Sequence, residues 1–312
     1  MTLSFFADGV ENPANLARLD DAARLLGATC SREIDGRLIA VENIADARDI
    51  YGRRPLRERA TLAVGNERRG LSVRTLERAD ETLVIPTQSR TVRTLNVAAA
   101  AAVAGWFVLR GSGAQAHVRR PDVRRPALLI VGSDHVEVGS SLRSAAAFGF
   151  RDVLLDDRGA GWFVGSAATR REARAAARRH KNPLRVHRAT TADLERFDEV
   201  LVVLQSGKRV PLRHNQLARG RRQLVVVGLD AEEVGRLAAG SIRVASLELT
   251  PVASAPLRFV ASITLAEIAR QVGRRRRGPP GPAIRPPKFA AAVRLQPPED
   301  VLYVDPSTLL SY

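Results

Sequence analysis

The sequence predicts an α/β protein of two units with largely parallel sheets, and three observations carry that expectation. The first is alternation: the apolar, strand-like runs RLIAV, TLAV and TLVI, then ALLIV, DVLLD, VLVVL and QLVVV, are separated by segments of helical periodicity. The second is a break at 111–126, GSGAQAHVRRPDVRRP, which is rich in Gly, Pro and Arg, lacks apolar periodicity and reads as a linker. The third is repetition. ENPANLARLDDAARLLGA (11–28) lies on SDHVEVGSSLRSAAAFGF (133–150) at a constant offset of 122, which puts Asn15 on Glu137, Asp21 on Arg143 and Gly27 on Gly149.

Each element adds to this picture in turn. TLAVGN lies on LVVVGL at an offset of 163, Gly65 on Gly228, and LVIPTQSRTVRTLNVAAAAAVA lies on LELTPVASAPLRFVASITLAEIA at 165, Pro86 on Pro251. The second copy is thus about forty residues longer between its first and second motifs, room for a strand and a helix. The expected organisation is an N-terminal domain over 1–110, the linker over 111–126, a C-terminal domain over 127–273 and a basic, Pro-rich tail over 274–312. The tail, RRRRGPPGPAIRPPKF and onward, cannot make a regular helix or a central strand. It reads equally as an RNA-contacting arm or as a solvated segment lying on the body.

Composition limits the function classes. A chain of 312 residues is long enough for two cores. No apolar run approaches the roughly 20 residues of a membrane span, so a soluble, cytoplasmic protein with no membrane partner is expected. Cys30 is the only cysteine, and His117, His135, His180, His187 and His214 show no ligand spacing, so no metal site is expected. The charge is distinctive: 49 Lys plus Arg against 33 Asp plus Glu gives a formal +16, a field that attracts polyanions. Nearly all of it is arginine. A GC-rich coding bias explains Arg over Lys, but not the excess of base over acid. With aromatics at 4%, phosphate contacts rather than base stacking should dominate nucleic-acid affinity.

The stretch VGNERRG at 64–70 joins the apolar run TLAV to LSVRTLERA, which places Leu71, Thr75 and Leu76 at helical spacing. A loop between a strand and a helix is where open α/β sheets bind small molecules. Taken alone, these residues fit a plain polar turn as well as a ligand loop.

GNERRGL followed by VIPTQSRTVRTLNVAAAAAVA resembles the second and third motifs of the SPOUT methyltransferases, in the SpoU or TrmH branch that methylates ribose 2′-hydroxyls in RNA. VEVGSSLRSAAAFGFRDVLLDD is similar to that branch's first motif. The resemblance spans nearly all of residues 10–272. It implies doubly wound domains with a trefoil-knot topology, here two in tandem forming an intramolecular pseudodimer, and S-adenosylmethionine as cofactor. It places Val64, Gly65, Gly70, Ile85, Pro86, Thr94 and Leu95 around that cofactor, Ile85 and Leu95 flanking the adenine. Glu67 and Asn96 (pattern Thr94-Leu95-Asn96) brace the knot and the reacting ribose. Arg143 stands where related enzymes place an arginine that handles the substrate. Because a guanidinium is effectively always protonated, we read its role as positioning and phosphate binding.

Neither copy is complete. The first has the cofactor motifs but Asp21 in place of the arginine; the second has Arg143 but a degenerate loop, GLDAEEVG, with Ala261 laid on Asn96. The combination implies one composite active site between the halves of a monomer, with rRNA or tRNA as substrate. Glu137, where the first copy has Asn15, is a carboxylate expected to stand beside Arg143 and to repel a substrate phosphate. It favours the alternative, a non-catalytic relative that binds structured RNA, for example in ribosome assembly.

Overall fold

The computed structural model describes residues 2–89, 91–112, 125–178, 182–217, 221–237, 241–252, 255–273 and 292–295. Most of the expected linker and tail therefore lies outside the described residues.

Residues up to Val84 build a first sheet from β1 (Leu3–Asp8), β2 (Thr29–Ser31), β3 (Arg37–Val41), β4 (Arg48–Asp49), β5 (Ala60–Gly65) and β6 (Glu81–Val84). All pairings are parallel, in the order β2-β1-β5-β3-β6-β4. Its helices are α1 (Pro13–Leu25), α2 (Val73–Arg78) and α3 (Val97–Arg110). The second sheet contains β7 (Ala127–Val131), β8 (Asp152–Asp156), β9 (Arg185–Arg188), β10 (Glu199–Leu204), β11 (Val210–Pro211), β12 (Gln223–Val227), β13 (Ile242–Ser246) and β14 (Ala292–Arg294), with α4 (His135–Ala147), α5 (Ala167–Arg178), α6 (Ala231–Gly235) and α7 (Leu257–Val272).

The two sheets share one plan. Read from β8, the second runs β8-β7-β12-β10-β13-β11, strand for strand the order of the first. Helix α1 and helix α4 each span 13 residues, 122 positions apart, and β5 and β12 start 163 apart, as the repeat implied. The extra residues of the second copy are helix α5 and strand β9, added beyond β8. One register changes. The third-motif helices begin after Asn96 and Pro256, 160 positions apart rather than 165, so the place of Asn96 is taken by Pro256 and not by Ala261.

Local chemistry starts helices α1 and α4. Asn12 caps α1 by accepting from the Ala14 N–H at 2.9 Å, with Pro13 in the first turn, where its missing N–H costs nothing. Asp134 caps α4 by accepting from Val136 and Glu137 N–H, each at 2.8 Å. Both helices end in a glycine at positive φ, Gly27 at +66° and Gly149 at +80°, where the opposite half's loop comes close. There the halves exchange matching hydrogen bonds: Gln88 N–H donates to the Ala147 carbonyl, and Thr250 N–H to that of Leu25, both at 2.8 Å.

Helix α3, VAAAAAVAGWFVLR, is apolar around its circumference and is buried along nearly all of its length, packed on α1 and α7. Gly105 lets it approach: a Cβ there would fall 2.7 Å from a Leu26 methyl and 2.8 Å from the Phe5 ring. A single apolar cluster runs through both halves, from Leu3 to Leu295. Trp106 is its largest first-half member, fully buried, with its indole N–H donating to the Leu247 carbonyl of the second half at 2.7 Å. Trp106→Ala is expected to cost about 3–5 kcal/mol, read as a lowered midpoint in urea unfolding; a loss under about 1 kcal/mol would show that the halves do not depend on this contact.

Part of the expected tail lies on the body. Strand β14 pairs antiparallel with β9, and Leu295 is buried with its N–H donating to the Leu184 carbonyl at 3.0 Å. Among the described residues no helix is long and apolar enough to cross a membrane.

Candidate active site

Strand β5 delivers the chain to Gly65, and VGNERRG then closes on itself. Asn66 N–H donates to the Gly70 carbonyl at 3.0 Å and Gly70 N–H to that of Asn66 at 2.9 Å. The Asn66 side chain accepts from Arg68 N–H at 2.9 Å and donates to the Gly9 carbonyl at 2.8 Å, tying the turn to the end of β1. Both glycines are needed. A Cβ on Gly65 would fall 2.2 Å from the Gly70 carbonyl carbon. Gly70 has φ +70°, and a Cβ there would fall 2.5 Å from the Glu42 carboxylate, which accepts from Leu71 N–H at 2.8 Å. The helix beyond is shorter than the sequence pattern suggests: Ser72 caps α2, and Leu71 precedes it.

The outer rim of this turn lines a cleft of about 350 Å³ at the C-terminal ends of β3, β5 and β6, which finish at Val41, Gly65 and Val84. Its apolar wall is Val41, Val64, Val84, Ile85, Leu95 and Val97; Glu42, Glu67, Thr87, Arg93, Thr94 and Arg143 are among the polar groups at its rim. Of the expected cofactor positions, Val64, Gly65, Gly70, Ile85, Thr94 and Leu95 line the cleft. Pro86 is buried and does not line it. Leu95 belongs to the apolar core and Ile85 packs against it, and both also form cleft wall.

Asn96 stands behind the rim. Its side chain caps α3 by accepting from Ala98 N–H at 3.0 Å, and its amide donates to Asn15 at 3.4 Å, a long bond. Asn15, buried in the first turn of α1, donates in turn to Glu67. The three motifs of the first half thus meet in one chain, Asn96 to Asn15 to Glu67.

Arg143 comes from the other half. It projects from α4 to the third-motif loop of the first half, donating to the Thr94 hydroxyl at 3.1 Å and to the Thr94 and Leu95 carbonyls, both at 3.3 Å. Burial lowers its pKa, and the Glu67 carboxylate acts in the opposite sense. Held by carbonyls, the guanidinium has a fixed direction and keeps its charge at neutral pH. Asp21, its counterpart on α1, pairs with Arg24 at the surface.

Glu137 overturns an expectation. It does not stand as a bare carboxylate beside Arg143: it accepts from the guanidinium of Arg258, Nε at 2.7 Å, and from the Arg258 backbone N–H at 2.9 Å. Six residues along a helix turn a side chain by roughly 120°, so Glu137 faces its own half while Arg143 faces the other. In the second half Leu257 packs against the Gly132 and Gly228 backbone, and GLDAEEVG forms the capped turn of α6, with Asp230 and Glu233 closing a capping box. Glu42 is a site residue that the sequence motifs did not single out, whereas Asn15 is the first-motif position of the first copy. The acid that ends RLIAVE, one position past an apolar strand, is the signal that points to Glu42.

A rigid donor, a carboxylate and an apolar cleft at the strand ends suit a small amphipathic ligand with a polar acceptor beside it. Residues 5–106 match the model of the SpoU rRNA Methylase family, a segment that holds Asn15, GNERRG and Thr94-Leu95-Asn96. Among solved structures the chain is similar to a TrmH-family protein from Porphyromonas gingivalis (21% identity, TM-score 0.30), covering 35% of this chain and 59% of that one. The chain thus spans little more than half the length of that relative. It is also similar to a TrmH/SpoU tRNA modifying enzyme from A. aeolicus (15%, TM-score 0.34, 49% of this chain and 76% of that one). An rRNA methyltransferase from Sinorhizobium meliloti (15%, TM-score 0.34) covers 70% and 74% of the two chains. No curated protein matches the chain.

Proposed function

Because residues 5–106 match the model of the SpoU rRNA Methylase family, we propose that the chain is an S-adenosylmethionine-dependent RNA methyltransferase acting on a ribose 2′-hydroxyl of rRNA or tRNA. The reading takes residues 1–110 and 127–273 as two domains of trefoil-knot topology, joined by the linker into an intramolecular pseudodimer that works as a monomer. The observation that carries it is Arg143 of one half fixed against Thr94 and Leu95 of the other, on the rim of the cleft that Glu67 also lines.

The cleft fits the cofactor. Its volume lies within the ~300–1,000 Å³ of small-molecule sites, and Gly65 and Gly70 keep the backbone free of Cβ atoms where it must approach. Val64, Gly65, Gly70, Ile85, Thr94 and Leu95 would hold it, with Pro86 supporting the wall from behind. When bound, S-adenosylmethionine supplies an electrophilic methyl group on a sulfonium. The chain's own residues then bring the acceptor to it: Arg143 binds the phosphate beside the target ribose, and Glu67, fixed through Asn15 by Asn96, sets the position of the hydroxyl. Holding that geometry accounts for much of the rate.

Glu137 speaks for the non-catalytic alternative only if it is a free carboxylate, and it is bonded to Arg258. The test is calorimetry with S-adenosylmethionine. One site per chain is expected, because the second half's loop, GLDAEEVG, lacks the GNERRG pattern and Leu257 packs against its Gly228. Two equivalent sites, or none, would remove the composite-site reading.

A further inference from the structure

Helix α5 and strand β9 are the unit that the second half has and the first lacks. Helix α5 reads AATRREARAAAR: four arginines, with Glu172 its one acid. Among the described residues Arg170, Arg171, Arg174 and Arg178 form no ion pair, although neighbouring Arg158 and Arg185 are paired with Glu233 and Asp152. Two of the four are held in place by neutral acceptors: Arg170 donates to the Gly165 carbonyl, and Arg174 to that of Trp162, Nε at 2.9 Å. Arg171 and Arg178 are exposed. Arg170, Arg174 and Arg178 follow at four-residue steps, about 6 Å apart along the axis, a row of like charges. Burial first, and then the charges of Arg178 and Arg170, lower the pKa of Arg174, so the helix gains if an anion relieves the crowding.

We propose that the outer face of α5 docks the sugar–phosphate backbone of an RNA substrate. The inner face is spoken for, since Ala173 and Ala177 are buried and Ala176 meets Gly139 of α4, where a Cβ would fall 2.7 Å from the Ala176 Cβ. Gly139 lies one turn before Arg143, so the arginine row is mounted on the helix that carries the proposed substrate-positioning residue. The exposed apolar residues of α5 are all alanines, which provide nothing to insert into a bilayer. A row of unneutralised guanidiniums, with Val164 the one exposed large apolar residue in the loop that leads into the helix, suits regularly spaced phosphates.

The proposal rests on the RNA methyltransferase reading, and the two can fail separately. The full chain and its Arg171→Gln/Arg178→Gln variant are titrated by fluorescence anisotropy with a tRNA and a structured rRNA fragment across a salt series. A charge-matched control is Arg24→Gln/Arg236→Gln, at exposed arginines elsewhere. The α5 variant should bind RNA about tenfold more weakly at 0.1 M salt, with a log–log salt slope shallower by about 1–2, while the control changes both less. Equal losses in variant and control, an unchanged slope, no RNA binding by the wild type, or α5-dependent binding only to phosphatidylserine vesicles would each overturn it. If the α5 effect appears but S-adenosylmethionine does not bind, the docking face stands and the methyltransferase reading falls. If the cofactor binds and the α5 variant is indifferent, the reverse holds.

Discussion

Arg143→Ala is expected to reduce methyl transfer to RNA by about 10²–10³-fold and to leave S-adenosylmethionine affinity within about threefold. The side chain meets the Thr94 hydroxyl and the carbonyls of Thr94 and Leu95 from the far half, on the rim of the cleft and not in its apolar wall. Its removal takes away the group proposed to fix the substrate but leaves Val64, Ile85 and Leu95 in place. Asp21→Ala, at the equivalent position of α1, breaks only a surface pair with Arg24 and should cost almost nothing. Transfer of tritiated methyl groups to rRNA and tRNA, beside calorimetry of the same preparations, separates the two effects. Full methylation by the Arg143→Ala protein would refute a site shared between halves.

A second large effect is expected at Gly65. Its missing side chain is what lets the turn close, because a Cβ would fall 2.2 Å from the Gly70 carbonyl carbon and 2.3 Å from the Leu71 nitrogen. Both contacts are backbone and cannot swing aside. Gly65→Ala must therefore separate Gly65 from Gly70, breaking the pair of hydrogen bonds between Asn66 and Gly70 and moving the cleft rim. S-adenosylmethionine affinity should fall by about 10²-fold or more, roughly 3 kcal/mol. Gly52→Ala is the control, since a Cβ at Gly52 meets nothing within 4 Å. An unaltered isotherm for Gly65→Ala would mean that this turn is not the cofactor's cradle.

Much of this architecture is legible in the sequence, for physical reasons. ALLIV, DVLLD and QLVVV are central parallel strands, buried on both faces, so they appear as unbroken apolar runs whose ends coincide with β7, β8 and β12. β1 escapes that reading because LSFFAD ends in an acid that is needed at the strand end, where Asp8 accepts from Ser72 N–H at 2.7 Å. IRVAS escapes it too, because Arg243 interrupts the run to pair with the buried Glu199. The repeat is read correctly wherever two helices or two strands have equal length. It slips in the third motif, where matching Pro86 to Pro251 ignores that the loops before α3 and α7 differ in length. The cleft's residue types are visible in sequence, but their directions are not. Glu137 and Arg143 look like neighbours in a string, and the helix sends one to Arg258 and the other to Thr94.

The reach of Arg143 into the opposite half has a consequence in mass action. When two separate copies build a shared site, its population depends on their concentration, and dilution below the dissociation constant empties it. Here donor and cleft belong to one covalent chain, and they are locked by a common core and by the exchanged bonds of Gln88 and Thr250. Assembly is thereby first order. If the site is shared between the halves as proposed, one molecule carries all of it at any dilution, and a lesion in either half is not rescued by an intact half from another molecule unless the shared core first opens.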